Sequence, residues 1–160
     1  MLNKDGYLSL EQVKSNFPEK SVLVKPKAII ECYEKIPCNP CETSCPFKAI
    51  TIGPDINEIP RINHDLCTGC GICVYSCPGL AISTVQIKDD KAIFKIPYEM
   101  LPLPKAGETW AGVSRSGEVI CPAKIIKVDQ NKNQDRTSVV QVEMDKKYLY
   151  DFITIRCPNE

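Results

Sequence analysis

The chain has no surplus of charge of either sign: over 160 residues, twenty basic side chains balance twenty acidic ones. Without a global field to draw in polyanions, binding to nucleic acid or to an anionic membrane is not expected. Long apolar runs are missing as well. No stretch approaches the ~20 residues of a membrane-spanning helix, and MLNKDGYLSLEQVKSNFPEK at the start holds no run of signal-peptide length. The expectation is a soluble, cytoplasmic protein with no membrane span. Histidine occurs once, at His64. Residues 97–160 contain no glycine-rich phosphate loop and no nucleophile beside a base, so no catalytic side chains are expected there. A hydrophobic content of 43% in a chain of this length allows a modest core in one domain or two small ones.

Cysteine, by contrast, is abundant, with ten in the chain. Four of them, Cys67, Cys70, Cys73 and Cys77, stand before Pro78 in DLCTGCGICVYSCPGLAI as C-x2-C-x2-C-x3-C-P, the thiolate spacing of a bacterial-type ferredoxin. Three thiols in one tight loop can face different irons of one cube. Gly69 and Gly71, lacking a Cβ, let the backbone curl around it with N–H groups turned toward sulfide. A structural zinc site would use two separated C-x2-C pairs. Disulfides would need an oxidising compartment that nothing else supports.

An imperfect second copy precedes the first. In IECYEKIPCNPCETSCPFKAITIG, Cys38, Cys41 and Cys45 read C-x2-C-x3-C-P, and both copies end in C-P-x-x-A-I, 32 residues apart from Cys45 to Cys77. This is the internal repeat of a two-cluster ferredoxin. A regular copy would carry a cysteine at position 35, where Lys35 stands; the nearest upstream thiol is Cys32. In two-cluster ferredoxins the fourth cysteine of each run ligates the other cluster. Transferred here, one cluster takes Cys67, Cys70, Cys73 and Cys45, and the other takes Cys38, Cys41 and Cys77. For the latter we favour a [4Fe–4S] cluster completed by Cys32 through a longer loop. A [3Fe–4S] cluster with an open corner and a non-thiolate ligand stay open, as does Cys32 as a small buried hydrophobe. Two clusters in such a chain imply a reducing, anaerobic cytoplasm.

The expected fold is α+β: a bacterial two-cluster ferredoxin-like module (31–96) with an N-terminal lead-in (1–30) and a small C-terminal β-sheet or barrel extension (97–160). In the lead-in, LSLEQVKSNF forms a short helix capped by Ser9, with Leu8, Val13 and Phe17 on one face. VLVKPKAII then reads as an extended arm, more packing or docking surface than a site, with Lys25 and Lys27 on a solvated rim. AITIG and RINHD pair as short strands, and Ile50, Ile52, Ile62 and Ile82 pack against the clusters. His64 satisfies backbone and is not expected to be a ligand. IPYEMLPLPKAGETW reads as a proline-bearing linker. ETWAGVS, EVICPAKIIKVDQ and RTSVVQVEM read as strands with turns at RSGE and NKNQD. Trp110 belongs to core or interface, and Cys121 and Cys157, without ligand spacing, are buried or incidental thiols.

IECYEKIPCNPCETSCPFKAI, CTGCGICVYSCPGLAI, PYEMLPLPKAGE and DRTSVV together resemble the ferredoxin-like small subunit of clostridial and archaeal FAD-dependent amino-acid dehydrogenases of the proline and hydroxyproline type, over residues 6–156. The resemblance implies a hetero-oligomer in which a FAD-dependent dehydrogenase subunit oxidises the amino acid, with FAD or FMN on the partner subunits. This chain would be its non-catalytic electron-transfer subunit, splitting a flavin's electron pair into single steps. A free-standing ferredoxin is the alternative, although free two-cluster ferredoxins are short and acidic whereas this chain is long and neutral. A catalytic or sensing cluster would need an open corner, for which Lys35 is the only support.

Overall fold

In the computed structural model, which describes residues 2–158, helix α1 (Leu10–Asn16) begins as its sequence requires. The Ser9 hydroxyl accepts from the Gln12 N–H, and the Gln12 side chain accepts from the Ser9 N–H. This reciprocal cap satisfies two donors that the first turn leaves unpaired. Leu8 and Val13 are buried, and Phe17 packs edge-on against Tyr150 with ring centroids 5.1 Å apart. A single 3-10 turn, Val22–Val24, then drives Leu23 into the core, and the chain enters strand β1 (Lys27–Ile30).

A seven-stranded sheet dominates the molecule. Its later strands are β4 (Ile82–Lys88), β5 (Lys91–Tyr98), β6 (Thr109–Ser114), β7 (Val119–Asp129), β8 (Ser138–Asp145) and β9 (Phe152–Arg156). The spatial order is β1-β4-β5-β8-β7-β6-β9, antiparallel throughout. Strand β5 shows why it forms: Ala92, Phe94, Ile96 and Tyr98 alternate inward with half-buried neighbours, the period-two pattern of a strand with one face on a core. That core gathers Leu23, Ile29, Val85, Trp110, Ile125, Val140 and Phe152.

The segment 31–81 leaves and rejoins the sheet at a single seam. Ile30 of β1 is the register partner of Ile82 of β4, and one step further Glu31 N–H donates to Ala81 O at 2.8 Å. Between these points lie α2 (Pro40–Ser44), the strand pair β2 (Ile50–Thr51) and β3 (Arg61–Ile62), and α3 (Ile72–Ser76). The repeat seen in the sequence is also a repeat of backbone. Each five-residue helix ends at a cysteine, Cys45 or Cys77, and a residue three positions later, Lys48 or Leu80, turns the chain with φ near +50° (51° and 52°).

The α+β expectation holds in part, since helices are few and short and the sheet is much larger than a C-terminal extension. It takes β1 from the lead-in and β4 and β5 from the stretch after the second cysteine run. The arm expected as packing or docking surface is packing, with Ala28, Ile29 and Ile30 all buried. Pro97 lies inside β5 and not in a linker. Strand β4 pairs with β5 only from Lys91 to Lys95, so at Pro97 the strand has a single neighbour, β8, through Val139. A residue without an N–H is tolerated at such a local edge. Among the described residues no helix is long and apolar enough to cross a membrane.

Candidate metal centres

The eight cysteines singled out by spacing fall into two sets of four, each around its own cavity. Cys45, Cys67, Cys70 and Cys73 line one, together with Ala28, Ala49, Ile50 and Ile62. Cys32, Cys38, Cys41 and Cys77 line the other, with Ile30, Ile52, Ala81 and Ile82. The last cysteine of each run therefore crosses into the set of the other run. The irregular first run is completed by Cys32, two residues past the end of β1, while Lys35 is exposed.

The electrostatics describe the same partition. Burial pushes the Cys73 thiol up to about 12, helped by Cys67, Cys70 and Cys45. Burial raises Cys41 to about 11, reinforced by Cys77 and Cys38. Cys32 is raised by burial and then by the same two thiols, Cys77 and Cys38. Thiolates crowded in an apolar pocket repel one another, so they lose their protons only when cations take their place. Among the described residues no three His, Cys, Asp or Glu side chains converge closely enough to hold a single metal ion. The thiols surround a space, which suits a polynuclear cluster better than zinc.

Backbone donors are already aimed at the sulfurs. Ala49 N–H donates to Cys45 Sγ and Ala81 N–H to Cys77 Sγ, both at 3.4 Å, at equivalent places in the two copies. Ala28 N–H donates to Cys67 Sγ at 3.3 Å from strand β1, a contact without counterpart in the other copy among the described residues. Such bonds stabilise thiolate charge and raise the potential of a bound cluster. The donor set, the apolar walls and these N–H groups all fit [4Fe–4S] clusters.

The loop carrying Cys67, Cys70 and Cys73 is clamped by residues 26–28. Gly69 has φ +69°, and a Cβ there would lie 2.4 Å from Pro26 O. Lys27 Nζ donates to His64 O and Cys67 O, each at 2.7 Å. His64 Nε2 donates to Ala28 O at 3.1 Å, and burial holds this imidazole below its usual pKa, as a neutral group that satisfies backbone. Lys27, read from the sequence as solvated rim, is thus half-buried and tied to the loop. A lone lysine in an extended arm carries no signal of this, because its partners lie 37 and 40 residues away. Cys121 is buried, raised by desolvation alone, and Cys157 packs at the edge of the sheet core; neither lines either cavity.

Residues 36–81 match the family profile of the 4Fe-4S dicluster domain. The chain therefore carries a dicluster ferredoxin domain, an iron–sulfur module for electron transfer. Several known proteins are similar to part of the chain. It is 42% identical over 53 residues to the ferredoxin-type protein NapF of Escherichia coli K12, covering 32% of each chain. It is 47% identical over 38 residues to one subunit of the Na(+)-translocating ferredoxin:NAD(+) oxidoreductase complex of Acetobacterium woodii, covering 24% of this chain and 11% of that one. A probable ferredoxin of Methanosarcina thermophila is 60% identical over 25 residues, 16% of this chain and 43% of that one. The chain thus spans about a third of the length of the NapF proteins it matches. No solved structure matches it.

Proposed function

We propose that this chain is the electron-transfer subunit of a FAD-dependent amino-acid dehydrogenase complex of the proline or hydroxyproline type. One [4Fe–4S] cluster is held by Cys45, Cys67, Cys70 and Cys73, and the other by Cys32, Cys38, Cys41 and Cys77. The observation that carries the reading is the pair of four-thiol cavities, with Cys45 and Cys77 exchanged between runs. When bound, the clusters accept and release single electrons, which converts the two-electron chemistry of a partner's flavin into separate steps. The protein's residues hold the clusters, exclude water through Ile50, Ile52, Ile62 and Ile82, and direct N–H groups at the ligating sulfurs. No group in this chain needs to touch an amino acid. Permanent docking is supported by the neutral charge and by the large sheet built around the ferredoxin segment, neither of which a diffusing carrier requires.

Anaerobic purification from the native organism tests this reading. The expected result is co-elution with a flavoprotein, near eight irons and eight acid-labile sulfides per chain, and reduction of the clusters on adding proline or hydroxyproline. Elution as a lone chain of eight irons, unreduced by either amino acid, would support the second reading, a free-standing ferredoxin-type carrier. That reading draws on the relatives named as ferredoxins.

A further inference from the structure

The two thiol sets lie in opposite electrostatic surroundings. Around Cys45, Cys67, Cys70 and Cys73 no carboxylate lines the cavity. The Lys27 ammonium is held against the backbone of a ligand residue by its bonds to His64 O and Cys67 O. A second cation stem is close by, since a Cβ on Gly71 would meet Lys95 Cδ at 3.8 Å. Two N–H groups, of Ala28 and Ala49, point at sulfurs of this set. Around Cys32, Cys38, Cys41 and Cys77 the balance reverses. Glu34 and Glu58 line the cavity and no lysine or arginine does, while backbone N–H groups reach its sulfurs too, Ala81 at Cys77 and Glu42 at Cys41.

We infer that Lys27, backed by Lys95, makes the cluster of Cys45, Cys67, Cys70 and Cys73 the more readily reduced of the two. Lys27 is then a positioning residue for electrons: one electron given by a partner's reduced flavin to either cluster comes to rest at this one before passing to the next acceptor. The physical reason is charge. Reduction adds a negative charge, which an adjacent ammonium favours and the carboxylates of Glu34 and Glu58 oppose. A unit charge within about 10 Å, acting through an effective dielectric constant of about 20, changes the electron's preference about tenfold. For a one-electron couple that is about 59 mV. The inference rests on the two-cluster reading above, and the test separates the two.

The experiment is an EPR-monitored redox titration of the intact iron-loaded protein with dithionite as reductant. The wild-type protein is expected to show two reduction waves. Lys27→Met should move the more positive wave to lower potential by about tenfold in the electron's partition, Lys27→Arg should restore it, and Glu58→Gln should raise the more negative wave. Movement of the more negative wave in Lys27→Met, or no movement with eight irons retained, overturns the inference. If Lys27→Met releases iron because its loop has lost two hydrogen bonds, Lys95→Met takes the same test; an unmoved upper wave in that variant overturns it equally. A wild-type protein holding a single cluster would instead overturn the two-cluster reading itself.

Discussion

Replacing Gly69 by alanine tests the clamp on the cluster loop directly. Two effects add. At φ +69° a side chain costs about 1–2 kcal/mol from conformation alone. The new Cβ would also stand 2.4 Å from Pro26 O and 2.6 Å from Pro26 C and Cβ, which are backbone and ring atoms that cannot swing aside. The 26–28 arm must retreat, weakening the two Lys27 bonds and the Ala28 bond to Cys67 Sγ. At about 1 kcal/mol for a neutral hydrogen bond and more for a charged one, partial loss of three adds about 2–3 kcal/mol. The total is about 4 kcal/mol. Gly117→Ala supplies the control: its φ is +87°, but nothing lies within 4 Å of the added carbon, so only the conformational cost of about 1–2 kcal/mol applies. Cluster loss is irreversible, so the fitting assay is the rate at which a chelator bleaches the sulfur-to-iron absorption under anaerobic conditions. With about 1.4 kcal/mol per tenfold in rate, Gly69→Ala should bleach about a hundredfold faster than Gly117→Ala, and half of the iron should go first. Equal rates in the two variants would refute the clamp.

Four further outcomes are expected. Cys32→Ser should leave the Cys45, Cys67, Cys70 and Cys73 cluster intact and reduce total iron below eight; retention of two four-iron clusters by iron analysis and EPR would exclude Cys32 as a ligand. Cys121→Ser places a hydroxyl in a buried site at a cost of about 1–3 kcal/mol, lowering the unfolding temperature while iron content stays unchanged. Arg115→Met leaves the Glu31 carboxylate without the Arg115 guanidinium, which bonds both its oxygens and also donates to Tyr150 O at 2.7 Å. With the two side chains only 10% and 14% exposed, denaturant unfolding should show a loss of about 2–4 kcal/mol. Removal of iron should loosen the core that contains Cys41, Cys67 and Cys73 but spare the sheet core, which contains no ligand cysteine. Hydrogen exchange should therefore be fast over 32–81 and slow in β5, β7 and β8, and uniform loss of protection would contradict two separable cores.

The parts that could be read ahead were those encoded locally. The Ser9 cap with Gln12 and the strands around Trp110, Ile125 and Val140 follow from spacings of a few residues. Which cysteine crosses came from the ligation rule of two-cluster ferredoxins carried onto the two runs, and not from the repeat itself. What escaped depends on contacts distant in sequence. Nothing near Lys27 announces His64 O or Cys67 O as its partners, and nothing near Ile30 announces Ile82. Pro97 misled because proline is a local signal against strands, whereas its tolerance depends on how far β4 extends alongside β5. The size of the sheet was underestimated for the same reason. Strands β1, β4 and β5 were assigned to other segments by their neighbours in the chain, although their partners in space decide where they belong.

The seam between Ile30 and Ile82 makes the cluster-bearing segment a cassette whose two ends are joined, with the 26–28 arm clamping one loop inside it. Both of its ends are held side by side by strand pairing, so chain can be added or removed inside the excursion without shifting any register in the sheet. The irregular first run illustrates this tolerance. The longer spacing from Cys32 to Cys38 begins just past the fastening and is absorbed before α2, so the strands behind it are undisturbed. A scaffold of this kind can keep its outer surface constant while the wiring it carries is lengthened, shortened or retuned.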